Sequence, residues 1–138
     1  MKNKVLIIQA NYYKDISTAL LKSAKNELKN FAKINIISVP GVFEIPVVIS
    51  KNLKKYDGFV ALGCVIKGQT PHFDFISKST TDAIMNISVE SKKPVGNGII
   101  TCLNKNQAIA RGKKGREAAN AVKIISVSYT HLRAHETL

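Results

Sequence analysis

The sequence contains no tryptophan and few other aromatic residues, which together make up 7% of its 138 positions. It has only two cysteines, Cys64 and Cys102, which fall inside apolar runs and lack the spacing of a metal site. This pattern predicts buried, reduced thiols in a cytoplasmic protein that holds no metal. No apolar run approaches the roughly 20 residues that span a membrane, and no secretory leader precedes the first run. We therefore expect a soluble domain with no membrane partner.

Acidic residues are also scarce: 9 Asp and Glu stand against 21 Lys and Arg, for a formal net charge of +12. A nucleic-acid-binding face would concentrate arginine and lysine together with stacking aromatics. Most of these lysines are instead scattered over helical segments, so the sequence predicts no nucleic-acid partner. A smaller cluster near the predicted ligand end suits an anionic small molecule, and it comprises Lys67, Arg111, Lys113, Lys114 and Arg116.

Several motifs of cofactor-binding α/β proteins are missing. The chain has neither G-x-x-x-x-G-K-[ST], which cradles a nucleoside triphosphate, nor G-x-G-x-x-G after its first apolar run, which holds a dinucleotide. A phospho-acceptor signalling domain would need an aspartate at the end of the third apolar run, where this chain has Cys64, Val65 and Ile66. We therefore expect no cofactor.

Four short apolar runs alternate with helical patterns along the chain. The runs are almost continuously hydrophobic, as in strands of a parallel sheet that is covered on both faces. With short connections between strands and helices, this order predicts an α/β, three-layer, flavodoxin-like doubly wound domain with a four-stranded parallel sheet. The apolar runs are residues 5–9, 34–39, 59–66 and 98–103.

Capping residues and apolar periodicity predict four helices between and after these runs. They are expected to begin at Asp15 as N-cap, at Glu44, at Pro71 and after Leu103, the last with breaks at Gly112 and Gly115. Gly96-Asn97-Gly98 is interpreted as a turn before the fourth run. The helical period is lost after Ile125, so residues 1–125 are predicted to form the domain and residues 126–138 a non-native or disordered tail.

The segment from Gly63 to Asp74 carries the strongest chemical signal. Thr70 suits the N-cap of a helix and Pro71 its first position, because the hydroxyl accepts from a free N–H and the ring needs none. Free N–H groups at such a helix start attract anions, phosphate above all. His72, in the first turn, can move protons near neutral pH. The segment therefore predicts a phosphate site beside a proton-transfer residue.

The segments that follow the four apolar runs are expected to converge, because open parallel sheets bind ligands beyond the carboxyl ends of their strands. They supply aromatics, a carboxylate, the phosphate site and a histidine. Each feature also has a structural alternative. Tyr12 or Tyr13 would cover a strand end, Glu44 would favour the helix dipole, Gln69 and Thr70 would act as caps, and His72 would lie on a helix surface.

Three separated motifs resemble the 6,7-dimethyl-8-ribityllumazine synthase family: VPGVFEIP at residues 39–46, YDGFVALG at 56–63 and VIKGQTPHFD at 65–74. GNGIIT at residues 96–101 and Lys114-Gly115 continue the match, which runs in order from residue 4 to about residue 125. The resemblance implies condensation of 5-amino-6-ribitylamino-uracil with 3,4-dihydroxy-2-butanone 4-phosphate. Phosphate and water leave in this penultimate step of riboflavin biosynthesis, which uses neither cofactor nor metal.

The resemblance also implies a role for each matching residue. His72 matches the catalytic proton-transfer histidine. The family's phosphate-binding arginine lies in a segment that is shorter here, so Arg111 is the first candidate and Lys114 and Arg116 are further ones. The phosphate of the substrate would be bound by Gln69, Thr70 and Arg111. Its pyrimidine and ribityl parts would be bound by Tyr12, Val42, Phe43, Glu44, Val65, Ile66 and Asn97.

Family members assemble as pentamers with sites between subunits, and some stack these into icosahedral shells. We expect a homopentamer in which Asn97, where many relatives have an aromatic, faces the neighbouring subunit's site. The first strand begins near residue 4 without the longer arm associated with shells, which favours the free pentamer. The alternative function is a non-catalytic lumazine or flavin carrier, which would need neither His72 nor the Gln69-Thr70 phosphate site.

Overall fold

The computed structural model describes residues 3–68 and 73–136, leaving out the side chains of residues 128–136. Strands and helices alternate along the chain, with one 3₁₀ turn at Val42–Glu44. The strands are β1 (Asn3–Ala10), β2 (Ala32–Val39), β3 (Gly58–Ile66) and β4 (Val95–Cys102). The helices are α1 (Lys14–Leu28), α2 (Ile45–Lys51), α3 (Phe73–Ser91), α4 (Lys105–Ala110) and α5 (Lys114–Glu136).

The strands form one four-stranded sheet in the order β2-β1-β3-β4, and every neighbouring pair is parallel. This confirms the predicted flavodoxin-like α/β arrangement. All nine residues of β3 are buried, as expected for a central strand covered on both faces. The two edge strands differ from that expectation: half of the residues of β2 are exposed, and β4 alternates between buried and more open positions. An edge strand has helices over only part of its width, which explains the difference.

Two hydrophobic cores lie on opposite faces of the sheet. On one face, α1 and α5 pack through Leu20, Leu28 and Val122, all fully buried. On the other face, the 3₁₀ turn, α2 and α3 cover the sheet, and Ile45 and Ile49 are fully buried. The three-layer prediction therefore matches the packing of the described residues.

The start of α1 differs from its prediction. Its N-cap is Tyr13, and Asp15 lies in the first turn. A carboxylate there is still favoured by the free N–H groups of the helix start, and Asp15 Oδ2 lies 3.6 Å from Lys105 Nζ at the start of α4. The predicted start of α3 at Thr70 and Pro71 lies outside the described residues.

Gly96-Asn97-Gly98 is not a turn, contrary to the prediction, but part of β4. A Cβ at Gly96 would stand 2.1 Å from the carbonyl oxygen of Ala118 in α5. At Gly98 it would stand 2.6 Å from Leu62 Cδ2. The small residues therefore let α5 approach the sheet closely, which is a tertiary requirement and not a local turn signal.

The last helical segment is divided as predicted near Gly112, which lies between α4 and α5. Gly115, the second predicted break, instead lies inside α5, where a Cβ would stand 2.1 Å from Leu20 O of α1. The helix continues past Ile125 to Glu136. The non-native origin of residues 126–138 stays a prediction.

Among the residues that the structure describes, no helix is both long enough and apolar enough to cross a bilayer.

Candidate active site

Strand β3 extends beyond its neighbour β1. Pairing between them ends at Gln9 and Leu62, whereas β3 continues to pair with β4 as far as Ile66 and Cys102. The β1 side of residues 63–66 therefore has no partner strand at the carboxyl edge of the sheet. We call this part of the sheet edge the carboxyl notch, bounded by residues 11–13, 40–44 and 63–66.

Main-chain groups of β3 face this notch. Lys67 N–H donates to Cys102 O on the β4 side at 2.9 Å. Residues of a strand direct their main-chain groups to alternate sides, so those of Cys64 and Ile66 are directed to the notch. Val65 and Ile66 are buried as whole residues, at 4% and 1% exposure, and both belong to the hydrophobic cores. A ligand at this strand end would therefore meet main-chain groups and not these side chains.

The 3₁₀ turn packs closely against β3 because Gly63 has no side chain. A Cβ at Gly63 would stand 2.5 Å from Val42 Cγ1 and 3.2 Å from Ala10 Cβ. Val42 is buried in this contact, while the adjacent Phe43 is 66% exposed. Gly63, which the sequence interpretation did not single out, thus fixes the turn that presents Phe43.

Glu44 closes the same turn. Its Oε1 accepts from Gly41 N–H at 3.0 Å, and Glu44 N–H donates to Gly41 O at 3.2 Å. Glu44 therefore has the structural role that the sequence analysis gave as the alternative to ligand binding, a negative charge near the start of α2. A carboxylate has more lone pairs than this one bond uses, so Glu44 keeps acceptor capacity for a ligand hydroxyl.

Two tyrosines follow β1 and differ in burial. Tyr12 is 67% exposed, and its ring meets Tyr13 edge to face, with centroids 4.8 Å apart. Tyr13 packs against the core of the α1 face, and burial raises the pKa of its hydroxyl. Tyr12 is therefore the tyrosine whose ring is open to a ligand.

The predicted phosphate and proton-transfer residues Gln69, Thr70 and His72 lie outside the described residues. They follow Gly68, whose φ of +82° places it in the left-handed region that glycine adopts at little cost. Gly68 is a turn residue directly after β3, as the sequence predicts. Lys67, just before it, is exposed.

A second group of predicted residues lies on the outer side of β4. Asn97 is exposed, and its Oδ1 accepts from Ile99 N–H at 3.0 Å. Arg111 Nη1 donates to Thr101 O at 3.1 Å, which fixes the guanidinium beside the end of β4. A surface pocket of about 530 Å³ is lined here by Ile99, Ile100, Thr101, Ala110, Arg111, Lys113, Lys114 and Glu117.

The structure does not bring this group into the notch of the same chain. The notch opens on the β1 side of β3, whereas Arg111 and Lys114 lie around the free edge of β4. Strands β3 and β4 separate the two groups. Lys114 Nζ also lies 3.7 Å from Glu117 Oε2, whereas Lys113 forms no ion pair with another described residue.

Arg116 is engaged elsewhere. Its Nε lies 3.3 Å from Glu27 Oε1, and Lys123 Nζ donates to the other Glu27 oxygen at 2.8 Å. The hydrogen bond from Lys123 and the charge of Arg116 hold the pKa of the Glu27 carboxyl below its usual value. Because Glu27 lies near the end of α1, Arg116 joins α5 to α1 away from the pocket at β4.

The two cysteines are buried free thiols on neighbouring strands, as predicted. Arg111 Nη1 lies 3.8 Å from Cys102 Sγ. Burial, followed by the nearby Cys102 thiol, raises the pKa of Cys64 to about 12. The contact between Arg111 and Cys102 could not be predicted from the sequence, because it depends on α4 folding back over the end of β4.

We expect Cys64 to resist alkylation in the folded protein. At pH 8 its thiolate fraction, and with it its reaction with iodoacetamide, is expected to be about 10³-fold below that of the urea-unfolded chain. Peptide mapping by mass spectrometry measures this rate, and equal rates in the two states would contradict the burial.

The folded state retains the proton of the Cys64 thiol more tightly than the unfolded chain does. The thiol therefore favours folding below pH about 9, and this contribution is lost as the pH rises towards about 12.

Within residues 3–68 and 73–136, no group of three or more His, Cys, Asp or Glu side chains is arranged to hold a metal ion. The chemical groups that the described residues present at the notch are main-chain donors and acceptors, the Glu44 carboxylate and two aromatic rings.

The sheet order defines a flavodoxin-like α/β protein, a class in which ligands bind at the carboxyl edge of the sheet. A sequence model of the 6,7-dimethyl-8-ribityllumazine synthase family matches residues 2–128. The chain belongs to this family.

The chain is 44% identical to the 6,7-dimethyl-8-ribityllumazine synthase of Bartonella tribocorum, over 87% of this chain and 85% of the relative. It is 43% identical to that of Agrobacterium fabrum, over 82% of each chain. It is 38% identical to that of Corynebacterium kroppenstedtii, over 92% of this chain and 82% of the relative.

Proposed function

We propose that this chain is an enzyme that condenses 5-amino-6-ribitylamino-uracil with 3,4-dihydroxy-2-butanone 4-phosphate, giving 6,7-dimethyl-8-ribityllumazine, phosphate and water. The family membership supports this transferase activity in riboflavin biosynthesis. Among structural observations, the extension of β3 beyond β1 supports it most, because it leaves donors and acceptors that suit a pyrimidine edge without a partner strand on the β1 side. We place the enzyme in the cytoplasm, where buried thiols stay reduced.

In this proposal the notch holds the ribitylaminouracil. Tyr12 stacks on the ring, and the end of β3 at Val65 and Ile66 bonds the edge of the ring through the main-chain groups of Ile66. The turn at Val42 and Phe43 lies along the ribityl chain, whose hydroxyls donate to Glu44. The exposure of Tyr12 and Phe43, together with the burial of Val65 and Ile66, is compatible with these roles.

The phosphorylated substrate is assigned to the residues after β3 and to cations at β4. Gln69 and Thr70 donate to the phosphate, and His72 moves the protons of Schiff-base formation, phosphate departure and ring closure. Arg111 supplies the guanidinium, since it is fixed at the end of β4, whereas Arg116 is engaged by Glu27. A planar guanidinium matches phosphate with two parallel bonds.

We further propose that the complete site forms between two chains. On one chain, the notch and the group of Asn97, Arg111 and Lys114 are separated by β3 and β4. A head-to-tail arrangement would place the β4 edge of one subunit beside the notch of the next. Interfaces of this heterologous kind close into rings, and the family resemblance indicates five members. The neighbour would also exclude water from the reacting groups.

Mixing the two substrates with the protein tests the activity. We expect lumazine absorbance to appear together with stoichiometric phosphate release, and the rate to be unchanged by EDTA. Tight binding of lumazine without phosphate release would support the carrier alternative instead. Loss of activity on chelation, restored by a divalent ion, would contradict the metal-free mechanism.

Replacing Arg111 by glutamine is expected to raise the KM for the butanone phosphate by about 10- to 100-fold, because one charged hydrogen-bond donor is lost. The KM for ribitylaminouracil should change much less. Steady-state kinetics with each substrate varied in turn measures both values. The matched control is Arg116→Gln, which removes an equal charge that Glu27 already engages. If Arg116→Gln had the larger effect, the two arginines would exchange roles.

We expect a pentamer in solution. Besides the divided site, α3 exposes Phe75, Met85 and Val89, at 75%, 60% and 66% of their surfaces, which suits coverage by a neighbour. Light scattering coupled to size-exclusion chromatography, or native mass spectrometry, measures the subunit number. An active monomer would contradict the shared site, whereas a 60-subunit shell would contradict only the preference for a free pentamer.

A further inference from the structure

A second concave site lies at the amino edge of the sheet, opposite to the carboxyl notch. It is a pocket of about 360 Å³, which we call the amino-edge pocket. Its lining combines four ammonium groups with one amide and one phenol. The lining residues are Lys4, Lys33, Asn35, Lys54, Lys55 and Tyr56.

The four lysines concentrate like charge. Lys4 and Lys33 are register partners on the parallel strands β1 and β2, so their side chains leave the same face of the sheet. Like charges in such adjacent positions destabilise a sheet. Within the described part of the chain, none of the four has a carboxylate within ion-pair distance. The neighbouring carboxylate of Asp57 instead accepts from the Lys4 backbone N–H, at 2.8 Å.

The walls of the pocket are fixed by hydrogen bonds. Asp57 N–H donates to Lys4 O at 2.8 Å, so the loop after α2 is tied to β1 in both directions. Lys93 Nζ donates to the carbonyl oxygens of Leu53 and Tyr56, the latter at 2.8 Å. The lysines therefore project from a pre-organised frame, which reduces the entropy lost on binding.

The hydroxyl of Tyr56 adds one more hydrogen-bond donor to the amino-edge pocket. Asn35 Nδ2 donates to the Tyr56 hydroxyl oxygen at 2.7 Å. Since that oxygen accepts from the amide, its own hydrogen is left to donate into the pocket. The pocket thus presents four ammonium groups and a phenolic donor.

We propose that the amino-edge pocket binds a compact polyphosphate anion, either inorganic tripolyphosphate or the triphosphate group of a nucleotide. Several phosphate oxygens held close together would accept from the ammonium groups of the four exposed lysines and from Tyr56. The charge of such an anion matches that of the four lysines, which a single orthophosphate does not. The site is independent of the proposed reaction, because it uses the opposite edge of the sheet.

Isothermal titration calorimetry of the whole chain with sodium tripolyphosphate tests the proposal, with ATP and orthophosphate as further probes. We expect saturable binding of one tripolyphosphate per chain, and weaker binding of orthophosphate. Equal affinity for ATP and tripolyphosphate would show that only the phosphates are recognised, and tighter ATP binding would identify a nucleotide as the ligand. Lys33→Gln and Lys54→Gln should each lower the affinity about tenfold or more.

The control variant is Lys51→Gln, which removes one exposed charge at the end of α2, outside the pocket. It should retain the affinity of the parent within about twofold, since it leaves all pocket contacts in place. Lys33→Gln has a second expected signature: without ligand its thermal midpoint should rise, because the like-charged neighbour of Lys4 is gone. A rise in stability together with a loss of binding separates a ligand site from a structural role.

Three results would overturn the proposal. One is the absence of saturable tripolyphosphate binding at low ionic strength. Another is an equal loss of affinity in Lys51→Gln, which would reveal attraction to net charge alone. The third is binding that Arg111→Gln abolishes and Lys33→Gln preserves, which would place the anion at the β4 edge.

Discussion

Replacing His72 by alanine is expected to slow turnover by about 10²- to 10⁴-fold, the range typical of a lost general acid–base group. Schiff-base formation, phosphate departure and ring closure each move a proton, and His72 is the residue near the predicted phosphate site whose ordinary pKa lies near neutrality. The KM values should change less than kcat, because His72 is assigned to proton transfer and not to binding. Single-turnover absorbance measurements from pH 6 to 8 give the rate.

The chain offers a matched control for this variant in the tail. His135→Ala removes another histidine, in the segment that the sequence analysis assigns to no function. It should leave turnover unchanged. A full rate in His72→Ala across that pH range would contradict the proton-transfer assignment, without touching the assignment of the notch.

Replacing Gly115 by alanine is expected to lower the free energy of unfolding by about 3 kcal/mol, through overpacking where α5 crosses α1. The added Cβ would stand 2.1 Å from Leu20 O and 2.6 Å from Ser23 Oγ, and a main-chain oxygen cannot move without shifting the helix. Without the clash, the substitution would stabilise the helix, because alanine has a higher helix propensity than glycine by up to about 1 kcal/mol. A loss of stability therefore indicates overpacking.

Urea unfolding followed by circular dichroism measures this difference. Gly112→Ala is the control, because its Cβ would stand 3.2 Å from Ala19 Cβ and 3.9 Å from Ile109 O, and because Gly112 lies between two helices. It should change the unfolding free energy by less than about 1 kcal/mol. An increase in stability on Gly115→Ala would contradict the close helix crossing.

The strands of the sheet could be predicted because each one is marked by the hydrophobicity of its own short segment. Each apolar run is long enough to define a strand, and the observed β3 begins only one residue before the predicted run. The start of β4 could not be predicted in this way. Gly96 and Gly98 have the composition of a turn, and only the approach of α5 shows why they are glycines. The same tertiary contact explains why Gly115, a local helix breaker, lies inside α5.

The candidate site was predicted at the level of segments and not of atoms. The rule that ligands bind at carboxyl strand ends located Tyr12, Phe43 and Glu44 at the notch. Two features depended on the strand order and lengths, which no single segment encodes. One is that the main-chain groups of Cys64 and Ile66 are directed to the notch, whereas those of Val65 are directed to β4. The other is that Arg111 lies beyond β4, away from Tyr12.

The unequal lengths of β1 and β3 have an evolutionary consequence. The donors and acceptors at residues 63–66 belong to the peptide bonds, so a substitution among Cys64, Val65 and Ile66 alters packing but leaves the hydrogen-bonding pattern intact, proline excepted. If this segment binds the ligand as proposed, drift can exchange one apolar residue for another while recognition persists. Apart from a proline substitution, changing that recognition would then require lengthening β1 or shortening β3, which takes an insertion or a deletion.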